Sequence, residues 1–279
     1  MSDYFSQLLT DIFTYLCRYL TLSEMLYTTS TSNNFLNNAK VLNHSVNFEL
    51  KNLYGSDNIC SLDYIQSIYH RFPKICNVEV NINSSYITST IITPIQVSEL
   101  CTFTSIIKLN LFNAQLITLP DSICKLKRLT KLNLGNNKLT TLPKSICRLT
   151  KLKTINIAGN ELRELPNSIG ELTELKTLSL FKNQLISLPN SIGKLTKLKD
   201  LLLHCNQLTL LPESIGALTG LTKLFLYNNH LITLPDSIST LNKLTILIIQ
   251  NNKFTKQQSP IIKKWLTELK YNDCRLITD

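Results

Sequence analysis

Prolines 120, 143, 166, 189, 212 and 235 stand 23 residues apart without exception. A fixed period over that length means one structural unit copied in series, and it rules out most globular layouts before any other feature is weighed. Around the prolines runs L-x-x-L-x-L-x-x-N-x-L-x-x-L-P-x-S-I-x-x-L, read in one copy as Leu129, Leu132, Leu134, Asn137, Leu139, Leu142, Pro143, Ile146 and Leu149. Copies begin at Ile106, Leu129, Leu152, Leu175, Leu198, Leu221 and Leu244, and the last fades after Phe254.

Each position has a physical reading. Alternating L-x-L is a short strand with its leucines turned inward. The asparagine ends that strand, and its amide can serve backbone groups in the turn. Asn137, Asn160, Asn183, Asn206, Asn229 and Asn252 are therefore expected to stack as a ladder. Leu-Pro breaks the strand, and Ser-Ile-x-x-Leu supplies a helical turn on the convex side. One copy cannot bury its own leucines, so stacking must build one continuous core. The fold class expected is α/β: a solenoid with a curved parallel sheet on its concave face and short helices or turns on its convex face, preceded by a small helical domain.

These copies resemble the 23-residue leucine-rich repeats of the Ras-suppressor type, marked by L-x-x-L-P-x-x-I-x-x-L. The resemblance implies a curved parallel-sheet solenoid that works by binding other proteins. The first copy departs from the pattern, with Ala114 at the asparagine position. Upstream, Val78-Glu79-Val80-Asn81-Ile82 alternates like a strand, and Pro94, Val97, Leu100 and Phe103 resemble the second half of a copy. The repeat domain is accordingly set at 76–258, beginning with a degenerate copy. In 259–279, Ser259-Pro260 opens a helix whose Ile261, Ile262, Trp265, Leu266 and Leu269 form an apolar stripe. It reads as a cap over the last repeat, with a separate docking helix as the alternative.

Residues between the inward leucines face the concave side. One row reads Asn110, Asn133, Asn156, Ser179, Leu202, Phe225, Ile248, and the row two residues on reads Phe112, Gly135, Ala158, Phe181, His204, Tyr227, Gln250. Both drift from polar to apolar along the solenoid. Phe181, Leu202, His204, Phe225, Tyr227 and Ile248 are expected to form one contiguous exposed patch, the composition of an interface hot spot. Lys108, Lys131, Asp200 and Lys223 sit beside it as rim contacts. A convex row of Lys125, Lys127, Arg128, Arg148, Lys151, Lys194 and Lys197 reads as solvated surface.

Residues 1–75 carry no repeat. Leu8, Leu9, Ile12, Phe13 and Leu16 follow helical spacing, Met25 and Leu26 continue the apolar pattern, and Val41, Leu42, Val46, Phe48, Leu50 and Leu53 suggest further short helices, as do Leu62, Ile65, Ile68 and Tyr69. The stretch Leu8–Leu16 followed by Glu24-Met25-Leu26 and Phe35 resembles an F-box, the helical module that docks onto a Skp-type adaptor in cullin ubiquitin ligases. It departs from that module at Tyr4-Phe5, where Leu-Pro is usual, and at Thr31-Ser32-Asn33, where Val-Cys-Lys is usual. The resemblance implies adaptor binding by Leu8, Leu9, Ile12, Phe13, Leu16 and Met25. The same helices read equally as a cap on the solenoid.

Charge is unevenly placed. Residues 1–103 sum to about −3 and the remainder to about +13, which points to an acidic partner for the repeats. Nucleic acid or an anionic surface is a weaker alternative, and it predicts steep weakening of binding with salt. No Gly-rich phosphate loop, HExxH or metal-spaced Cys/His cluster occurs, so no cofactor, metal or catalytic role is expected. His204-Cys205 is the nearest thing to a nucleophile pair, but adjacent strand residues point to opposite sides of a sheet unless a turn intervenes. Cys124 and Cys147 share a repeat position with Gly170, Gly193, Gly216 and Ser239, a small-residue packing slot. Without a secretory signal pattern, a bilayer-length apolar run or a CxxC pair, the cysteines are expected to stay reduced in the cytoplasm. A pathogen effector acting in a host cytoplasm would share this layout, and the Lys/Asn/Ile-rich composition suits an AT-rich genome. The function expected is a protein-interaction receptor, as a ligase substrate adaptor or as a scaffold without a ligase link.

Overall fold

The computed structural model describes residues 45–49, 77–81, 94–254, 260–271 and 274–278. Among the described residues, ten parallel strands hydrogen-bond in sequence order into one sheet: β1 (Ser45–Glu49), β2 (Asn77–Asn81), β3 (Ile106–Asn110), β4 (Lys131–Asn133), β5 (Thr154–Asn156), β6 (Thr177–Ser179), β7 (Asp200–Leu202), β8 (Lys223–Phe225), β9 (Ile246–Ile248) and β10 (Arg275–Ile277). The period of the sequence is the period of the coil. From β4 to β8 each strand pairs residue for residue with the one 23 positions on, as in Leu178 with Leu201 and Leu201 with Leu224.

Each Leu-Pro step hands the chain to a five-residue 3-10 helix: Asp121–Lys125, Lys144–Arg148, Asn167–Glu171, Asn190–Lys194, Glu213–Ala217 and Asp236–Thr240. The proline sits at the cap with an extended backbone, for instance φ −64° and ψ 137° at Pro143, where its missing N–H costs nothing. The helix stops at the following leucine, whose backbone (φ −79° and ψ 53° at Leu172) is close to an inverse γ-turn. Strand leucines and helix isoleucines meet inside. Leu132, Ile155, Leu178, Leu201, Leu224 and Leu247 stack on one side, and Ile146, Ile169, Ile192, Ile215 and Ile238 on the other, all buried.

The asparagine ladder forms as expected. Asn206 is representative: its Nδ2 donates to the carbonyls of Leu180 at 3.0 Å and Leu203 at 2.9 Å, and its Oδ1 accepts the N–H of Leu185 at 3.0 Å. One amide thus ties two successive passes of the chain. At the repeat that lacks its asparagine, Asn137 Oδ1 accepts from both Ala114 and Leu116 (3.0 and 2.9 Å), so the neighbour covers the gap.

The convex packing slot also forms. A Cβ on Gly170, Gly193 or Gly216 would lie 2.3, 2.4 and 2.3 Å from the carbonyl oxygen of Ser191, Ser214 and Ser237, so the turns close tightly only over glycine. Where the slot holds cysteine, the convex surface opens into a depression bordered by Cys124, Lys144, Cys147 and Arg148.

Two parts of the architecture differ from expectation. Ser45–Glu49 is a strand paired in register with Asn77–Asn81, although this stretch reads as helical from Val41 to Leu53. The period-2 alternation of Val46 and Phe48 prevails over the helical spacing suggested by the leucines on either side. At the other end, the helix α2 (Pro260–Tyr271) buries Ile262, Trp265 and Leu269 over the last turn of the coil, and the chain then returns as β10 beside β9. The degenerate first copy supplies β2 and the helix α1 (Pro94–Leu100), with Val97, Leu100 and Phe103 in the core. The F-box-like residues Leu8, Leu9, Ile12, Phe13, Leu16 and Met25, and the segment Leu62–Tyr69, lie outside the described residues. No described helix is long and apolar enough to cross a membrane.

Candidate functional site on the concave face

The concave face is two surfaces. Over β3–β5 it is a lattice of amides that satisfy one another. Asn156 Nδ2 donates to Asn133 Oδ1 at 2.9 Å, and Asn110, Asn133 and Asn156 each accept the backbone N–H two residues on at 3.1 Å. From Phe181 and β7 onward the two rows turn mostly apolar and aromatic. Leu202, Phe225 and Ile248 are neighbours in register, and Phe181, His204 and Tyr227 follow them along chain segments linked by Lys182 N–H to His204 O (3.1 Å) and Cys205 N–H to Tyr227 O (3.0 Å).

The six expected patch residues therefore come together, but they do not lie open. His204 is sandwiched between two rings, Phe181 at 4.5 Å and 9° and Tyr227 at 4.4 Å and 12° between centroids and planes, with Phe225 tilted against it at 6.0 Å. It is 9% exposed, and the other five are half-buried. The reason is geometric: parallel strands stand about 4.8 Å apart, which is already the distance at which flat rings stack. Aromatic side chains in one row of a solenoid close on one another and offer their edges to the groove.

Burial sets the chemistry of the stack. His204 Nδ1 is buried without a hydrogen-bond partner. Desolvation, helped by the charge of Lys182, lowers the imidazole pKa to about 4, so His204 is neutral near pH 7. Burial raises the Tyr227 phenol above its ordinary range, with a smaller contribution from Cys205.

At the adjacent Cys205 a turn does intervene. β7 ends at Leu202, and Cys205 has φ +57°, so a turn and not strand alternation separates it from His204. Its Sγ takes Asn228 Nδ2 at 3.5 Å, while the His204 ring is spent in the stack. The pair is not aligned for nucleophilic chemistry. Left-handed backbone recurs at Asn113, Asn136, Gly159, Lys182, Cys205, Asn228 and Asn251, a row so varied in side chain that it has no sequence signal. Among the described residues no group of three His, Cys, Asp or Glu side chains is placed to hold a metal.

The rim is partly engaged with itself. Lys223 Nζ lies 3.7 Å from Asp200 Oδ1, and Thr177 Oγ1 donates to Asp200 Oδ2 at 3.2 Å. Lys131, at the start of β4, is exposed. The cationic row expected on the convex face divides in two. Lys125, Arg148 and Lys194 end 3-10 helices, whereas Lys127, Arg128, Lys151 and Lys197 lie in the turns that lead into strands.

Residues 89–188 match the family model described as a leucine-rich repeat region. The fold is that of a leucine-rich-repeat solenoid. Among solved structures, the leucine-rich repeat chain is similar to a leucine-rich repeat protein of Leptospira interrogans, at 27% identity and a TM-score of 0.67, over 93% of this chain and 57% of that one. The repeats therefore span a little over half the length of that relative. They are also similar to PEPR1 in the PEPR1–AtPEP1 crystal structure (29% identity, TM-score 0.51, 64% of this chain and 28% of that chain). A third likeness is to the Arabidopsis receptor kinase HAESA, solved with the peptide hormone IDA and the co-receptor SERK1 (26%, 0.50, 67% and 36%). A search of curated proteins found no match.

Proposed function

We propose that this leucine-rich repeat protein is a protein-interaction receptor that holds a polypeptide segment on its concave face, over the Phe181–His204–Tyr227 stack and the adjoining Leu202, Phe225 and Ile248. The observation that carries this reading is the sidedness of the groove. Its first half satisfies its own amides, and its second half presents a contiguous apolar, aromatic surface along one curved sheet. Ring edges and half-buried aliphatic groups suit insertion of apolar side chains, and pre-stacked rings have little conformational entropy left to lose on binding. HAESA, solved in complex with the peptide hormone IDA, supplies an analogy for a peptide ligand of a chain with this fold. The 23-residue L-x-x-L-P-x-x-I spacing further suggests the Ras-suppressor type of repeat.

The finer reading is a substrate receptor of a cullin ubiquitin ligase in the cytoplasm, the partner held by the repeats and a Skp-type adaptor by the F-box-like residues Leu8, Leu9, Ile12, Phe13, Leu16 and Met25. Its support is the sequence resemblance of that segment. A pull-down from eukaryotic lysate separates the two levels, comparing wild type with Phe225→Ala/Tyr227→Ala, with Leu9→Ala/Ile12→Ala, and with a convex control, Lys144→Ala/Lys194→Ala. Partner loss confined to the Phe225/Tyr227 variant is the expected result, and equal loss in the convex control would sink the concave reading. Recovery of adaptor and cullin, lost only in the Leu9/Ile12 variant, supports the ligase link. Their absence from the wild-type sample leaves a scaffold.

A further inference from the structure

The residues that enter the strands form a cationic column that the concave reading does not use. At the position just before β5, β6 and β7 stand Lys153, Lys176 and Lys199, and main-chain bonds fix their succession: Lys176 N–H to Lys153 O and Lys199 N–H to Lys176 O, both 2.8 Å. All three are exposed. Their backbones are therefore held about 4.8 Å apart on one edge of the sheet, a spacing that like charges do not choose for themselves.

The acidic groups beside the column are already engaged. Glu174 is hydrogen-bonded to Lys197, which holds its carboxyl below the usual range, and Lys153 and Lys176 add to that lowering. Asp200 is taken by Lys223 and Thr177. On the strand-exit side the exposed residues include Ile117, Ile186, Leu210 and Ile232, together with Lys138, Arg163 and Glu164.

We propose that this strand-entry edge, carried by Lys153, Lys176 and Lys199, is a docking surface for an acidic polypeptide segment. The inference rests on the concave reading only in taking the partner to be a protein. Charge complementarity selects an anion, and two features select carboxylates over a nucleic-acid backbone. The column spans roughly 10 Å, the reach of about three residues of extended polypeptide, whereas so short a run neutralises few phosphates. The aromatic residues nearest to it on the sheet are stacked on one another, His204 with both faces covered, so nucleobases find little of the free ring surface that single-strand binding uses.

The test uses a fluorescein-labelled deca-glutamate peptide and a labelled oligo-dT of similar charge, titrated by anisotropy at low and at about 300 mM salt. The full chain is compared with Lys153→Glu/Lys176→Glu/Lys199→Glu and with Lys144→Glu/Arg148→Glu/Lys194→Glu, a convex variant of equal net charge. Circular dichroism and thermal unfolding verify that both variants fold, and a milder Lys→Gln triple serves at the edge if reversal does not. We expect the peptide to bind the wild-type chain at low salt, to weaken at least about tenfold in the edge variant and to change little in the convex one. Equal weakening in both variants, no peptide binding at low salt, or tighter binding of oligo-dT that is lost in the edge variant would each overturn the proposal. Phe225→Ala/Tyr227→Ala should leave peptide binding intact, so failure of the edge and failure of the concave reading remain distinguishable.

Discussion

A histidine in a ring stack is a titration device whether or not the protein uses it as one. The folded pKa of His204, about 4, lies below the roughly 6.5 of an unfolded chain, so between those values the unfolded state binds more protons. Stability is therefore full above pH 6.5 and declines as pH falls toward 4, by at most about 3 kcal/mol from this residue. His204→Phe keeps a flat ring in the stack and removes the proton site. Urea midpoints measured at pH 7 and pH 4.5 should converge for the variant relative to wild type, and parallel shifts in both proteins would show that His204 is not the cause. The same scale holds the asparagine ladder. Asn206→Ala strands the buried Leu185 N–H and the carbonyls of Leu180 and Leu203, an expected loss of about 3 kcal/mol, whereas exposed Asn242→Ala should cost under about 0.5 kcal/mol. The ladder was legible in the sequence because one residue type recurs at one position. The membership of the aromatic row was legible for the same reason, but its closure was not: that follows from the match between strand spacing and ring-stacking distance, which no residue letter carries.

At the scale of the element, what decides is how closely one turn may approach the next. Gly193 lets its 3-10 helix sit against the Ser214 carbonyl, and a methyl group there would have to push backbone away, since its Cβ would lie 2.4 Å from that oxygen. Gly193→Ala should cost about 2–3 kcal/mol in thermal or urea unfolding. Gly220→Ala is the control, because its nearest neighbour, Thr196 O, is 3.1 Å away and only a small shift is needed. If the two variants unfold alike, the slot tolerates a side chain and close approach is not what fixes its glycine. The slot itself could be read from the sequence, where only Gly, Cys and Ser occupy it. The terminal strands could not. β1 and β10 lie outside the 23-residue period, and three or five residues such as Arg275–Ile277 or Ser45–Glu49 become strands because a sheet edge is there to pair with. Their local pattern alone says little, which is why Val46 and Phe48 read as part of a helix when flanked by leucines.

A solenoid touches only its neighbours, so its stability is close to a sum over adjacent turns and its ends are where it opens. Here the apolar half of the concave face lies toward the C-terminal end, running from Phe181 to Ile248, one strand short of β10. The cap that closes that end is α2, and its anchor is Trp265, 2% exposed among the core residues of the last turn. Its indole N–H has no partner, so the residue acts by volume and not by hydrogen bonding. Trp265→Ala should therefore cost about 3–5 kcal/mol at the cap, while Trp265→Phe should recover most of it. Because turns couple only to neighbours, the loss should not spread evenly. Native-state hydrogen exchange should rise first in β9 and β10, then in β8, and leave the β4–β6 amides at wild-type protection. Binding through Phe225 and Ile248 should weaken in step with that fraying, although Trp265 is not among the concave residues. Uniform deprotection from β3 to β10 would mean that the coil unfolds as one cooperative unit, and the placement of the apolar face next to a cap would then have no bearing on how it opens.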